Sequence, residues 1–177
     1  MRLSFGGSDE LGLAIARRLA GSEYLAYTVE ARGAGGGIPV MVRPNGRPKF
    51  RGPVVVLTGP ITMSAAETFV MSLMGRTPRV TRTGESTQGL FCDVLEGRLP
   101  NGWRFGLPNA VYRSAGGEAF DARGIPPDFE APVYADGDVA AGIDPGMAKA
   151  LDVLRGRLVV PILPTAADIG RPPSGSR

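Results

Sequence analysis

Apolar positions along the chain recur at spacings that change from segment to segment, and each change marks an element. Leu11, Ala14, Ile15 and Leu19 follow Ser8, Asp9 and Glu10 at three- and four-residue intervals, which predicts an amphipathic helix opening at Ser8 and ending by Gly21. The aromatic and branched run over residues 24–31 predicts a strand that leads into the glycine-rich loop 33–37. Between residues 38 and 52 the prolines and glycines forbid a long regular element, so this stretch reads as a surface crossing with room for a short strand at 40–42. Residues 54–57 are apolar without alternation, as expected of a central strand covered on both faces of a parallel sheet. After the Gly59-Pro60 break, residues 64–74 are largely apolar and predict a buried helix closed by Gly75. Segments 79–83, 90–99 and 103–112 read as strands, the last two joined through Asn101-Gly102, a hairpin turn whose residues both tolerate positive φ. Asp144 and Pro145 open a late helix that runs to Arg155. The alternation of strand and helix patterns predicts an α/β domain over residues 1–160 and a flexible Pro/Gly-rich tail over 161–177.

Composition narrows the function classes. Hydrophobic residues make up 43% and charged residues 21% of the 177, ordinary globular values that exclude a disordered or fibrous chain. The net charge of +3 comes from arginines interspersed with acids, Lys49 and Lys149 being the lysines, so no basic stripe points to a nucleic-acid partner. The lone Cys92 cannot form an internal disulfide, and beside Phe91 and Val94 it reads as a small buried hydrophobe in a strand. No apolar run approaches the roughly 18 residues of a membrane span, and no cofactor or metal is expected.

The chemistry concentrates in the segment from Pro53 to Glu67, which carries no charge until Glu67. A strand, a tight turn and then Ser64 at the start of a buried helix set one hydroxyl at the positive end of the helix dipole, beside unpaired backbone N–H groups. An oxyanion would be stabilised there. Ser64-Ala-Ala-Glu67 also matches a capping box, in which Ser64 and Glu67 satisfy each other's backbone amides, and the local pattern alone favours that reading. Under it, Ser64→Ala costs about 0.5–2 kcal/mol. Gly6-Gly7 likewise reads either as functional or as an ordinary turn before the first helix.

Taken together, "RLSFGG" at residues 2–7, "GPVVVLTGPITMSAAETF" from Gly52, "RTGESTQG", "LPNGWRFGLPNAVY" and "GIPPD" ending at Asp128 resemble the tail-specific family of serine peptidases, family S41. The resemblance implies a ClpP/crotonase-like fold, a central sheet with buried helices plus an antiparallel hairpin. It also implies a peptide or protein substrate attacked by Ser64 through an acyl-enzyme. Ala65 N–H and a glycine of the Gly6-Gly7 pair match the oxyanion donors, and Asp121 matches the assisting acid of the tricorn-like branch. Glu85 either orients the helix of Ser64 or faces water, and Gln88 either hydrogen-bonds a substrate backbone or is solvated. Trp103 and Phe105 are expected to pack the hairpin.

Two departures bear on activity. The lysine that follows the Gly-Glu-x-Thr-x-Gly pattern in the processing branch is Leu90 here, and the histidine of the tricorn-like branch has no counterpart, since the chain contains no histidine. Serine is a weak nucleophile without a positioned base, so the isolated chain is expected to be inactive or weak. Because Met1-Arg2 begins inside a motif, the expectation is that an N-terminal part is absent. A non-catalytic ligand-binding or scaffold module of the same fold is the alternative, and homo-oligomerisation is left open. A crotonase-type acyl-CoA enzyme shares the fold but leaves the Ser-Ala-Ala-Glu helix start unexplained.

Overall fold

The computed structural model describes residues 1–46, 50–91 and 93–159. Lys49, Cys92 and the tail 161–177 lie outside the described residues, and with them the solvated-lysine, buried-cysteine and flexible-tail expectations.

The first helix, α1, covers Asp9–Leu19, capped by the Ser8 hydroxyl, which accepts from Leu11 N–H. Its two acids sit in the first turn and Arg17 and Arg18 in the last, both favourable to the dipole. Strand β1 (Tyr24–Ala31) is the middle of an antiparallel sheet, flanked by β2 (Ile38–Val42) and β7 (Ala110–Ser114). A second sheet is parallel: β3 (Val55–Thr58) pairs with β4 (Thr81–Gly84), which pairs with the two-residue β8 (Phe129–Glu130). The parallel pairing expected of residues 54–57 is present, but among the described strands β3 is an edge, and β4 is the central one.

Helix α2 (Ala65–Leu73) packs against α1 and β1, and all nine of its residues are buried. Its apolar side chains Phe69, Val70, Met71 and Leu73 join Ala16, Ala20, Ala26, Tyr27, Val42 and Val56 in the core. At Gly12, α1 approaches α2 so closely that a methyl group there would lie 3.1 Å from Phe69 Cβ. The remaining helices are α3 (Asp136–Ala140) and α4 (Pro145–Leu154), the latter capped by Asp144, which accepts from Met147 N–H.

The segment 103–112 is two strands rather than one. β6 (Arg104–Pro108) pairs with β5 (Val94–Arg98) in a hairpin turned at Asn101-Gly102, and the chain then crosses to β7 in the first sheet. The hairpin stands away from the body. Trp103 is 72% exposed, contrary to the expectation that it packs; Phe105, 39% exposed, lies over Gly97, where a methyl group would sit 2.2 Å from its ring. Aromatic content alone does not say whether a strand has a layer above it.

Candidate active site

Ser64 adopts φ 54° and ψ −129°, a conformation that strains any residue with a Cβ and persists only where surrounding contacts enforce it. Those contacts are backbone bonds. Ser64 N–H donates to the carbonyl of Leu90 (3.0 Å), and the Ser64 carbonyl accepts from Glu67 N–H (2.7 Å) and Thr68 N–H (3.2 Å). The residue before it is held too, Met63 N–H donating to the Ser4 carbonyl at 3.1 Å.

The capping box is absent. The Ser64 hydroxyl makes no cap bond, and the Ser64 N–H that a capping glutamate would meet donates to the Leu90 carbonyl instead. Glu67, fully buried, faces elsewhere: its carboxylate accepts from Thr87 Oγ1, from Gly89 N–H (2.8 Å) and from Leu90 N–H (2.8 Å). A buried carboxylate requires such partners. Here they tie loop 84–90 onto α2 and so hold the Leu90 carbonyl where Ser64 N–H meets it. Thr87 is fixed in turn by Ile125 N–H, which donates to its hydroxyl at 2.7 Å. The approach of loops 84–90 and 120–125 requires glycine at 124, where a methyl group would lie 1.9 Å from the Thr87 carbonyl oxygen.

Gly6, the first of the glycine pair, lies against Ser64. A Cβ at Gly6 would stand 2.8 Å from Ser64 Cβ and 3.2 Å from its Oγ, so any side chain there would displace the serine. Gly6 and Gly7 have φ of 101° and 137°, a backbone region that favours glycine. Among the described residues no group accepts a hydrogen bond from the amides of Gly6, Gly7 or Ala65. Of these residues, Gly6 and Ala65 stand next to the strained serine, one across the turn and one along the chain.

Asp121 sits in an exposed turn joined to the site through its neighbour, since Ala122 N–H donates to the Gly89 carbonyl at 2.8 Å. Burial raises its carboxyl above the ordinary value, partly offset by its own backbone N–H and by Arg113. The side chain of Glu85 does not reach the helix of Ser64; it accepts from Val133 N–H at 2.7 Å and secures the segment after β8. Gln88 is exposed, and its backbone N–H donates to the Thr62 carbonyl at 2.9 Å. Leu90, at the position where the processing branch has lysine, is 43% exposed. Among the described residues no three His, Cys, Asp or Glu side chains are grouped to hold a metal, and no helix is long and apolar enough to cross a membrane.

Two depressions flank this centre. A cleft of about 700 Å³ lies along Glu85–Gln88 and Pro132, but Ser64 does not line it. A groove of about 220 Å³ between α1 and α2 is walled by Leu11, Ile15 and Phe69 and reaches Gly6 and Ala65, so it adjoins the serine. Chemistry singles out the smaller one. The sequence pattern missed the partners of Glu67 and the role of Leu90 as backbone acceptor; the signal for the first was a lone acid in an otherwise apolar helix.

The mixed sheets, the buried α2 and the turn that presents Ser64 at its start define a ClpP/crotonase-like fold. The chain belongs to peptidase family S41, whose family model matches residues 1–131. A peptidase structure from Parabacteroides merdae superposes with a TM-score of 0.78 at 26% identity, over 87% of this chain and 50% of that one. An S41 protease structure from Bacteroides fragilis superposes with a TM-score of 0.69 at 18% identity, over 90% of this chain and 44% of that one. The photosystem II D1 C-terminal processing protease follows with a TM-score of 0.62 at 23% identity, over 74% of this chain and 33% of its own. The chain thus spans about half the length of the first two. Among curated proteins no sequence matches it.

Proposed function

We propose that this chain is a serine peptidase domain in which Ser64 attacks the carbonyl of a peptide substrate to form an acyl-enzyme. The observation that carries the reading is the enforced backbone of Ser64 (φ 54°) at the start of a buried helix, with Gly6 against it. Strain of this kind is maintained where a side chain must be presented in one direction. In the tetrahedral intermediate the former carbonyl oxygen receives the Ala65 N–H and an N–H of the glycine pair, each such donor contributing about 3–4 kcal/mol to the transition state. Asp121 assists the proton transfer. Removal of the Ser64 proton falls to a group this chain lacks, because it has no histidine and carries Leu90 at the lysine position, so turnover by the chain alone is weak or absent.

A fluorophosphonate probe tests this, since it reports serine nucleophilicity without requiring a full cycle. The expected result is slow modification of the chain at Ser64, read by intact mass and peptide mapping, and none after Ser64→Ala. Equal labelling of the two proteins removes Ser64 as the nucleophile. The absent base is the observation that favours the second reading, a non-catalytic ligand-binding or scaffold module of the same fold. That reading is supported if the chain binds peptides yet the probe never modifies Ser64.

A further inference from the structure

Arg2 lies 142 positions from Asp144 in sequence, yet Nη1 donates to Asp144 Oδ1 at 2.6 Å and Nη2 donates to Oδ2, a two-pronged pair. The guanidinium also stands over the Tyr134 ring, 4.9 Å from its centroid. Its surroundings are shaped to receive it. A methyl group at Gly59 would lie 3.3 Å from Arg2 Cβ, and one at Gly146 would lie 3.4 Å from Nη1. Arg2 and Asp144 side chains are 14% and 38% exposed, so the pair is partly shielded from water and stronger than a surface contact. The Arg2 bond holds the Asp144 carboxyl down at about 2.

The same short segment carries the glycine pair. Met1 carbonyl accepts from Thr62 Oγ1 at 3.1 Å, Ser4 carbonyl accepts from Met63 N–H at 3.1 Å, and Gly6 meets Ser64. Residues 1, 2, 4 and 6 are therefore fixed in turn, and among their described anchors only that of residue 2 is a charge pair with a helix outside the serine turn. We propose that Arg2 is a positioning residue: clamped between Asp144 and Tyr134, it holds Gly6 against Ser64 and couples the amides of the glycine pair to α4. What those amides do rests on the peptidase reading, but the coupling itself does not.

The test uses the full chain with Asp144→Asn, Arg2→Lys and Arg2→Gln. Asparagine caps a helix about as well as aspartate, so Asp144→Asn removes the ion pair and keeps the α4 cap. Lysine keeps the charge of Arg2 but not its two-pronged geometry. Amide hydrogen exchange is read at Met63, whose N–H reports attachment of the segment, with Val70 and Met71 in α2 as the reference. Fluorophosphonate labelling of Ser64 is the second readout. Expected is exchange at Met63 about 10-fold faster in Asp144→Asn and Arg2→Gln, less so in Arg2→Lys, with the α2 reference unchanged and labelling slowed in the same order. Arg79→Lys, altering the separate pair with Asp128, leaves both readouts as in the wild type. Unchanged exchange at Met63, or equal acceleration at Val70 and Met71, overturns the proposal. A wild-type chain never labelled at Ser64 overturns the peptidase reading instead, while the exchange data still decide the coupling.

Discussion

Replacing Ser64 by glycine should stabilise the protein, which is the reverse of what a helix cap would do. At φ 54° and ψ −129° a residue bearing a Cβ is held in a sparsely populated region, and such strain is of the order of 1–3 kcal/mol. Glycine relieves it but loses more backbone freedom on folding, at a cost of about 0.5–1 kcal/mol. The middle of the two ranges leaves a gain of roughly 1 kcal/mol. For a chain of this length each 1 kcal/mol moves the melting temperature by about 2–4 °C, so a rise of about that size is expected. No cap bond is lost with the hydroxyl, and alanine keeps the strained Cβ, so Ser64→Ala should stay within about 0.5 kcal/mol of the wild type. Thermal unfolding followed by circular dichroism on the three proteins gives the answer. A glycine variant that melts at or below the wild type, or an alanine variant that loses 1 kcal/mol or more by the scale of an ordinary cap, refutes the reasoning.

Glu67→Ala leaves two amides and the Thr87 hydroxyl without their acceptor, at about 1–3 kcal/mol for each buried group, so a loss of about 3 kcal/mol or more is expected in urea unfolding. A loss below about 1 kcal/mol would show that water replaces the carboxylate. Leu90→Lys introduces an amine one backbone bond from Ser64 at a 43% exposed position, and should raise fluorophosphonate labelling at least about 10-fold with little change in stability. Labelling no faster than in the parent chain means that the ammonium does not reach the hydroxyl. The Asp144 carboxyl is lowered from 3.8 to about 2 by Arg2, so its contribution is present above pH 4 and fades as pH falls toward 2. The melting-temperature gap between wild type and Asp144→Asn should therefore be constant down to about pH 4 and close below it; a gap that persists at pH 2 contradicts the pairing.

Elements governed by neighbours in sequence were readable in advance. The Ser8 cap, the apolar run of α2, the Asn-Gly turn and the Asp144-Pro145 helix start are all local signals, and each marks an element of the structure. Contacts between distant residues were not readable. β8 exists because Phe129 and Glu130 find β4, and the split of residues 103–112 follows from β7 joining β1, neither of which leaves a mark in a short window. The Ser64 turn shows the limit most clearly. Ser-Ala-Ala-Glu is a true capping pattern by composition, but Glu67 finds partners 20 to 23 positions away and the Leu90 carbonyl rotates the serine backbone. A local rule gave way to long-range bonds at the one position where the family resemblance had set its nucleophile.

The grip of Asp144 on Arg2 has a bearing on how the polypeptide is born. A ribosome releases the stretch containing Ser64 well before position 144 has been made, and closing so long a span carries an entropic cost that cannot be met until α4 emerges. During synthesis the glycine amides therefore remain unfastened on that side, so a nascent chain carries a serine whose surroundings are completed only once residue 144 has left the ribosome.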